Sequence, residues 1–339
     1  MRLPLFRYHA PRTVREAVEL LAKAPAGEAM LVAGGTDLLP NMKRRQQTPS
    51  ALIGLRGIAE MKRVVNGDGL TIGAGLTLTE LLRLPHLRKA YTGLWQAATQ
   101  VATPLLRNMG TLGGNLCLDT RCNYYDQNYE WRKAIGFCMK KDGDICWVAT
   151  SSPLCLAVSS TDTAPMLLAL GATVTLADAH GERRVALSDL YRNDGIHHLT
   201  RRPTEVLTAV HLPRLDGWRT AYWKLRRRGA FDFPVLSVAG AVKLAADGTV
   251  EAARLALGSV SSQPIEAVHA GAALVGRKLD DKTVAEAATL AAQPSKPMDN
   301  TDFSLHWRKR VTREFVTHAL RELRGDDVRD VKRKLGIKD

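Results

Sequence analysis

Five cysteines, Cys117, Cys122, Cys138, Cys146 and Cys155, fall within 39 residues of a 339-residue chain that has no others. Successive cysteines are separated by four, fifteen, seven and eight residues. No CxxC pair is present, which disfavours zinc ribbons and bacterial ferredoxin runs. Four thiols gathered by a folded loop still suit an iron–sulfur cluster or a zinc ion. The intervening aromatics Tyr124, Tyr125, Tyr129, Trp131, Phe137 and Trp147 would shield such a group from water. Scattered buried thiols are the plainer alternative, and confinement to one stretch weighs against it. An odd number of thiols cannot all pair within one chain, and in a reducing compartment clustered cysteines do metal or redox work.

A second kind of chemistry adjoins the first. Gly110-Thr-Leu-Gly-Gly-Asn115 lies just before Cys117, and an earlier cluster, Gly34-Gly-Thr-Asp37, follows the apolar run 29–33. Glycines let a backbone turn sharply and approach a ligand closely. Consecutive N–H groups at the start of a helix attract phosphate. Neither loop is a GxGxxG or Walker sequence, and a lone Gly-Gly is more often a simple turn. Two such loops in one domain suit a dinucleotide.

The elements that must position these loops are readable from periodicity and caps. Thr13 to Glu16 fits a capping box opening a helix over 14–23. Strands are predicted at 29–33 and 51–55, forming a βαβ-like unit. Another strand is predicted at 70–74, and a second capping box, Thr77 to Glu80, opens a helix over 78–84. Residues 87–103 read as one helix ended by Pro104. Beyond the cysteines come a helix at 164–170 and strands at 172–177 and 206–212. Asp216-Gly217 marks a boundary. After it, strands at 221–227, 235–246 and 252–258 precede helices at 264–276, 282–293 and 308–324, the pattern of a separate α+β domain. The charged last fifteen residues are expected to fray.

With 45% hydrophobic and 24% charged residues the chain reads as an ordinary globular protein. No apolar run reaches the roughly 18–20 residues of a membrane span. The N-terminus lacks the apolar core of a secretion signal, so a cytoplasmic location and no membrane partner are expected. The net charge of +14 fits an acidic partner subunit or a solvated basic surface. It is dispersed and accompanied by no nucleic-acid motif, so no nucleic-acid partner is expected. The histidines show no HExxH spacing, and neither a Ser/His/Asp arrangement nor a carboxylate pair suggests hydrolysis.

Four segments in order, VAGGTDLL, TIGAG, RNMGTLGGNLC and KLRRRGAFDFP, resemble the FAD-binding medium subunits of the xanthine dehydrogenase and carbon monoxide dehydrogenase family. The resemblance covers nearly the whole chain. It implies an α+β fold, with a two-part FAD-binding domain over 1–215, a smaller α+β domain over 216–324 and a charged tail over 325–339. Where most relatives pass from Gly-Gly-Asn to an SPxxD-type segment within about ten residues, here 47 positions separate Asn115 from Asp162. The insertion, about 118–158, carries four of the five cysteines. That feature is similar to the β subunits of 4-hydroxybenzoyl-CoA reductases, which hold an extra [4Fe–4S] cluster there. By that resemblance Cys122, Cys138, Cys146 and Cys155 are the ligands. Cys117 is left out, because relatives without the insertion often have a cysteine at its position.

The same resemblance assigns flavin contacts. Leu31, Val32, Ala33, Gly34, Gly35, Thr36 and Asp37 would hold the diphosphate. Thr111, Leu112, Gly113, Gly114 and Asn115 would reach the diphosphate and the flavin. Asp162 would bind the adenosine ribose, and Lys224 would sit near the isoalloxazine. Val101 and Leu207 would pack on the cofactor. Bottom-up, Asp162 serves equally well as a helix cap and Lys224 as an exposed strand lysine. Gly54 and Thr161 depart from the family pattern, which often has aspartate and SPxxD wording at these points.

The function implied is an electron-relay oxidoreductase subunit carrying FAD and a [4Fe–4S] cluster, with no catalytic residue of its own. Its partners would be a molybdopterin large subunit and a small subunit with two [2Fe–2S] clusters, in a dimer of heterotrimers. Reduced ferredoxin would supply electrons for removing the phenolic hydroxyl of 4-hydroxybenzoyl-CoA, a step in anaerobic aromatic degradation. One alternative is the FAD subunit of an oxidative molybdenum hydroxylase. Another, of a different class, is a zinc-stabilised basic binding protein.

Overall fold

The computed structural model describes residues 2–337. Its first layer is a parallel sheet in which β1 (Arg7–His9) and β2 (Ala29–Val32) flank β3 (Ala51–Gly54). The helix Val14–Lys23 crosses between β1 and β2, and the two predicted strands, β2 and β3, pair in parallel. Thr13 caps it by accepting from Glu16 N at 3.1 Å. The reciprocal half of that box is absent, because Glu16 accepts from Arg12 N instead. At Thr77 both halves of the box form.

A five-stranded antiparallel sheet follows, ordered β4 (Val64–Gly67), β5 (Gly69–Gly73), β8 (Val206–Leu212), β6 (Thr173–Asp178) and β7 (Gly181–Ala186). The last sheet runs β12 (Ile265–Glu266), β11 (Val250–Gly258), β10 (Leu236–Leu244) and β9 (Trp218–Leu225). Strand alternation sends Tyr222 and Ala239 to one face and Trp223 and Val238 to the other, and all four are fully buried. The first face joins the core of the N-terminal domain; the second packs under the helices Val268–Leu274, Asp281–Ala292 and Leu305–Arg324. Burial on both faces explains why β10 reads as nearly unbroken apolar sequence. The boundary at Asp216-Gly217 is thus a turn in the chain across which a continuous core runs.

Three sequence expectations are corrected here. Residues 87–103 form two short helices, Leu87–Ala90 and Thr92–Thr99. Pro104 starts a helix instead of ending one, because its missing N–H and fixed φ suit a first helical position capped by Thr103. The charged tail is ordered: the helix Arg329–Lys334 folds back, burying Val328 and Ile337 and placing Lys332 Nζ 2.7 Å from Glu322. Among the described residues no helix is long and apolar enough to cross a membrane.

Candidate functional site

The first glycine loop joins β2 to the helix Leu38–Lys43. Gly35 turns with φ +70°, and a Cβ on Gly34 would lie 2.0 Å from the Met109 carbonyl oxygen, so glycine here lets the two loops touch. Among the described residues, the half-buried N–H groups of Gly34, Gly35, Thr36 and Asp37 donate to no protein acceptor. Four free donors on consecutive residues are what a diphosphate requires. The residues present therefore fit that part of FAD. Leu31, Val32 and Ala33 lead into the loop, Leu31 and Ala33 packed on the domain core.

In the second loop the backbone amides are spent within the protein. Thr111 Oγ1 accepts from Gly114 N at 3.0 Å. The amides of Leu112, Gly113 and Asn115 donate to Leu76 O, Ala74 O and Thr111 O at 3.0, 2.8 and 2.9 Å. These contacts leave no amide of residues 112–115 for an anion, and Leu112 is a core residue. Asn115 is also engaged: its Oδ1 accepts from Thr161 Oγ1 at 2.8 Å and from Thr163 N and Oγ1 at 3.1 and 2.6 Å. This loop is a wall that fixes the segment on either side of Asp162.

Asp162 and Lys224, expected in separate roles, are brought together. Lys224 Nζ lies 3.0 Å from Asp162 Oδ1 and donates to Gln100 O at 3.0 Å and Asp232 O at 2.9 Å. Tyr222 Oη donates to Asp162 at 2.8 Å. Both charged side chains are almost wholly buried. Burial pushes the Asp162 carboxyl up and the Lys224 ammonium down, and their mutual attraction opposes both shifts. Neither the cap nor the exposed-lysine alternative describes these residues: Asp162 makes no cap hydrogen bond. Gln100, whose carbonyl joins the pair, keeps a buried Oε1 without a protein partner. Val101 follows it, and Leu207 lies in β8 beside a bulge; both belong to the same core. Gly54 also has a physical reason, since Tyr8 Oη lies 2.1 Å from where its Cβ would be.

The insertion begins and ends at one bridge, Arg121 and Val158, which exchange backbone hydrogen bonds of 2.8 and 2.7 Å. Inside it, Cys122, Cys138, Cys146 and Cys155, each 5–7% exposed, line one narrow cavity. Tyr125, Met139, Trp147 and Ala157 make up much of its apolar wall. Cys117 lies outside it, at the end of the helix Leu112–Leu116. All five cysteines are free thiols. Burial pushes Cys122 up to about 12 and Cys155 to about 11, the latter partly offset by an Ala157 backbone hydrogen bond and by Lys140. Among the described residues no three His, Cys, Asp or Glu side chains converge tightly enough for a single ion. Zinc–sulfur bonds of about 2.3 Å would require sulfurs roughly 3.8 Å apart. In a four-iron cluster each thiolate ligates a different iron, so a wider ring of sulfurs serves. Among the described residues lining the cavity, four thiols and no imidazole or carboxylate form the donor set, one that iron–sulfur clusters use.

Arg121, missed in the sequence, links the two sites. Its buried guanidinium pairs with Asp37 of the first loop, donates to Asn41 Oδ1 at 3.1 Å and Asp126 Oδ1 at 3.2 Å, and stacks on Phe233 at 4.7 Å. Asp126 in turn accepts from Cys122 N at 3.1 Å. Tyr222 and Gln100 were missed as well. Tyr222 lies two residues before Lys224, on the same face of its strand; Gln100 carried no signal.

Residues 4–215 match the family described as FAD binding domain in molybdopterin dehydrogenase, and 220–323 match the CO dehydrogenase flavoprotein C-terminal domain. The aldehyde oxidoreductase FAD-binding subunit PaoB of Escherichia coli is 32% identical over 93% of this chain and 98% of its own length. The carbon monoxide dehydrogenase medium chain of Afipia carboxidovorans is 28% identical, covering 93% and 95%. Among solved structures, a carbon monoxide dehydrogenase from Hydrogenophaga pseudoflava matches with a TM-score of 0.78 and 26% identity over 95% of this chain and 98% of that one.

Proposed function

Because the chain belongs to the FAD-binding medium subunits of the xanthine and carbon monoxide dehydrogenase family, we propose that it relays electrons through FAD and a [4Fe–4S] cluster held by Cys122, Cys138, Cys146 and Cys155. The observation that carries the second cofactor is the convergence of these four thiols, without Cys117, on one buried cavity. Family membership replaces the zinc-stabilised binding protein.

When bound, the flavin would exchange electrons in ones or twos and the cluster one at a time. The chain's own residues do the holding. The free amides of Gly34 to Asp37 would bind the diphosphate, and Gly34 keeps the loops in contact. Lys224 would supply a buried positive charge to the flavin side, and Asp162 and Tyr222 fix its position. The apolar wall around the thiols excludes water, and Arg121 ties that wall to the first loop. Substrate chemistry would belong to a molybdopterin large subunit, with a small [2Fe–2S] subunit between, in a dimer of heterotrimers.

Two directions of electron flow follow from different observations. The insertion favours inward flow from ferredoxin, as in 4-hydroxybenzoyl-CoA reductase. The matched relatives, named as an aldehyde oxidoreductase and a carbon monoxide dehydrogenase, favour outward flow from an oxidised substrate. Assaying the complex with 4-hydroxybenzoyl-CoA plus reduced ferredoxin, and with aldehydes plus an acceptor, separates them. The cofactor reading is tested by iron, zinc and FAD content of the anaerobically purified complex and its Cys138→Ser variant. About eight irons per FAD, falling to about four with FAD retained, is expected. No iron loss, or zinc instead, overturns it.

A further inference from the structure

We propose that Lys140 is the residue that sets the reduction potential of the group bound in the cysteine cavity, by holding a fixed positive charge in its wall. The inference rests on the cluster reading above. Among the described residues, Lys140 is the one charged residue lining the cavity. Its side chain is 6% exposed, and its ammonium spends all three hydrogens on Asp119 Oδ1 at 2.8 Å, Thr120 Oγ1 at 2.6 Å and Gly195 O at 2.6 Å. It also lies 4.9 Å from the centre of the Tyr125 ring. Held this way, the charge cannot swing out to solvent as an ordinary lysine does.

Its counter-charge is turned away. Asp119 does not line the cavity, and it also accepts from Thr120 N at 2.9 Å, Gln47 Nε2 at 3.2 Å and Tyr125 Oη at 3.3 Å. Of the pair, Lys140 alone lines the cavity beside the sulfurs. Of the other charges of the insertion, Asp126 pairs with Arg121 and Asp142 with Arg132 and Lys141, while Glu130, Lys133 and Asp144 are exposed and outside the cavity lining. A charge in a poorly polarisable wall is screened far less than one in water. Cluster potentials follow net charge, hydrogen bonds to sulfur and exposure. A fixed cation favours the more negative, reduced state and raises the potential. A merely structural Lys140 would staple Thr120 to the Gly195 loop without this effect.

The experiment is a redox titration of the anaerobically purified complex followed by electron paramagnetic resonance, with the signal identified by its loss in Cys138→Ser. Lys140→Met is expected to keep iron and FAD while the midpoint moves down, and Lys140→Arg to stay near the native value. Asp119→Asn, which strips the counter-charge, is expected to move the midpoint up, and it carries the test if Lys140→Met fails to fold. An unchanged midpoint in iron-replete Lys140→Met, equal shifts in the Met and Arg variants, or no upward shift in Asp119→Asn overturns the proposal. Absence of the additional iron from the native complex overturns the cluster reading itself, and Lys140's role with it.

Discussion

Replacing Gly34 with alanine tests the flavin cradle most directly. The added Cβ would lie 2.0 Å from the Met109 carbonyl oxygen, 2.5 Å from its carbon and 2.9 Å from Gly110 N, all backbone atoms with no rotamer to yield. Ordinary contact begins near 3.4 Å, so the two loops must part by about 1.4 Å. Overpacking of this kind costs roughly 1–3 kcal/mol, or about 2–4 °C of melting temperature per kcal/mol for a domain of this size. Binding suffers more. Amide–phosphate hydrogen bonds of about 2.9 Å cease to be bonds beyond about 3.5 Å. Each charge-assisted bond contributes about 1.5–3 kcal/mol, so losing two weakens FAD binding roughly 10²- to 10⁴-fold. The control is Gly110→Ala on the other side of the same contact. Its Cβ would meet nothing closer than Leu106 O at 3.4 Å, and its φ is not positive. FAD content of the purified complex, and Kd from flavin fluorescence after stripping and titration, provide the assay. A Gly34→Ala complex that binds FAD as tightly as Gly110→Ala would refute the cradle.

Three further outcomes follow from charges and packing. Asp162→Ala leaves the Lys224 ammonium buried with two carbonyls and should cost roughly 3–5 kcal/mol. Adding Lys224→Met should restore part of that in chemical denaturation, whereas strict additivity of the two losses would show that they do not act as a pair. Burial alone would raise the Glu205 carboxyl, yet hydrogen bonds from Arg183 and Arg202 hold it at about 2. A depressed folded value means that its stabilisation is present above the ordinary value of 4.5 and lost as pH falls through about 2. Denaturation at pH 5, 4, 3 and 2 should show that loss in the native protein and a flatter profile in Glu205→Gln. Truncation after Gly325 removes the buried Val328 and Ile337 and should lower stability on the order of 3–6 kcal/mol by thermal melting; an unchanged melt would mean that the tail does not pack.

Local chemistry made much of this protein legible in advance. The cap at Thr77, the apolar run of β8 and the turn at Asp247-Gly248 each depend on residues a few positions apart, so sequence alone specifies them. The first glycine loop was legible for the same reason, since a strand followed by Gly-Gly and a helix start is a local signal. The unusual cysteine density was also a linear fact, and it singled out the insertion before any fold was known. Tertiary structure alone decided which of these groups remain free. The amides of residues 112–115 are identical in sequence terms to those of the first loop, yet Leu76 and Ala74 consume two of them and the helix turn the others. Lys224 is an ordinary strand residue until a carboxylate 62 positions earlier is folded against it. Arg121 becomes the link between thiols and glycines only because Asp37 and Phe233 close around it. Hydrogen-bond capacity and charge belong to the residue, but whether they are spent on the protein or left for a ligand depends on long-range packing that no local pattern encodes.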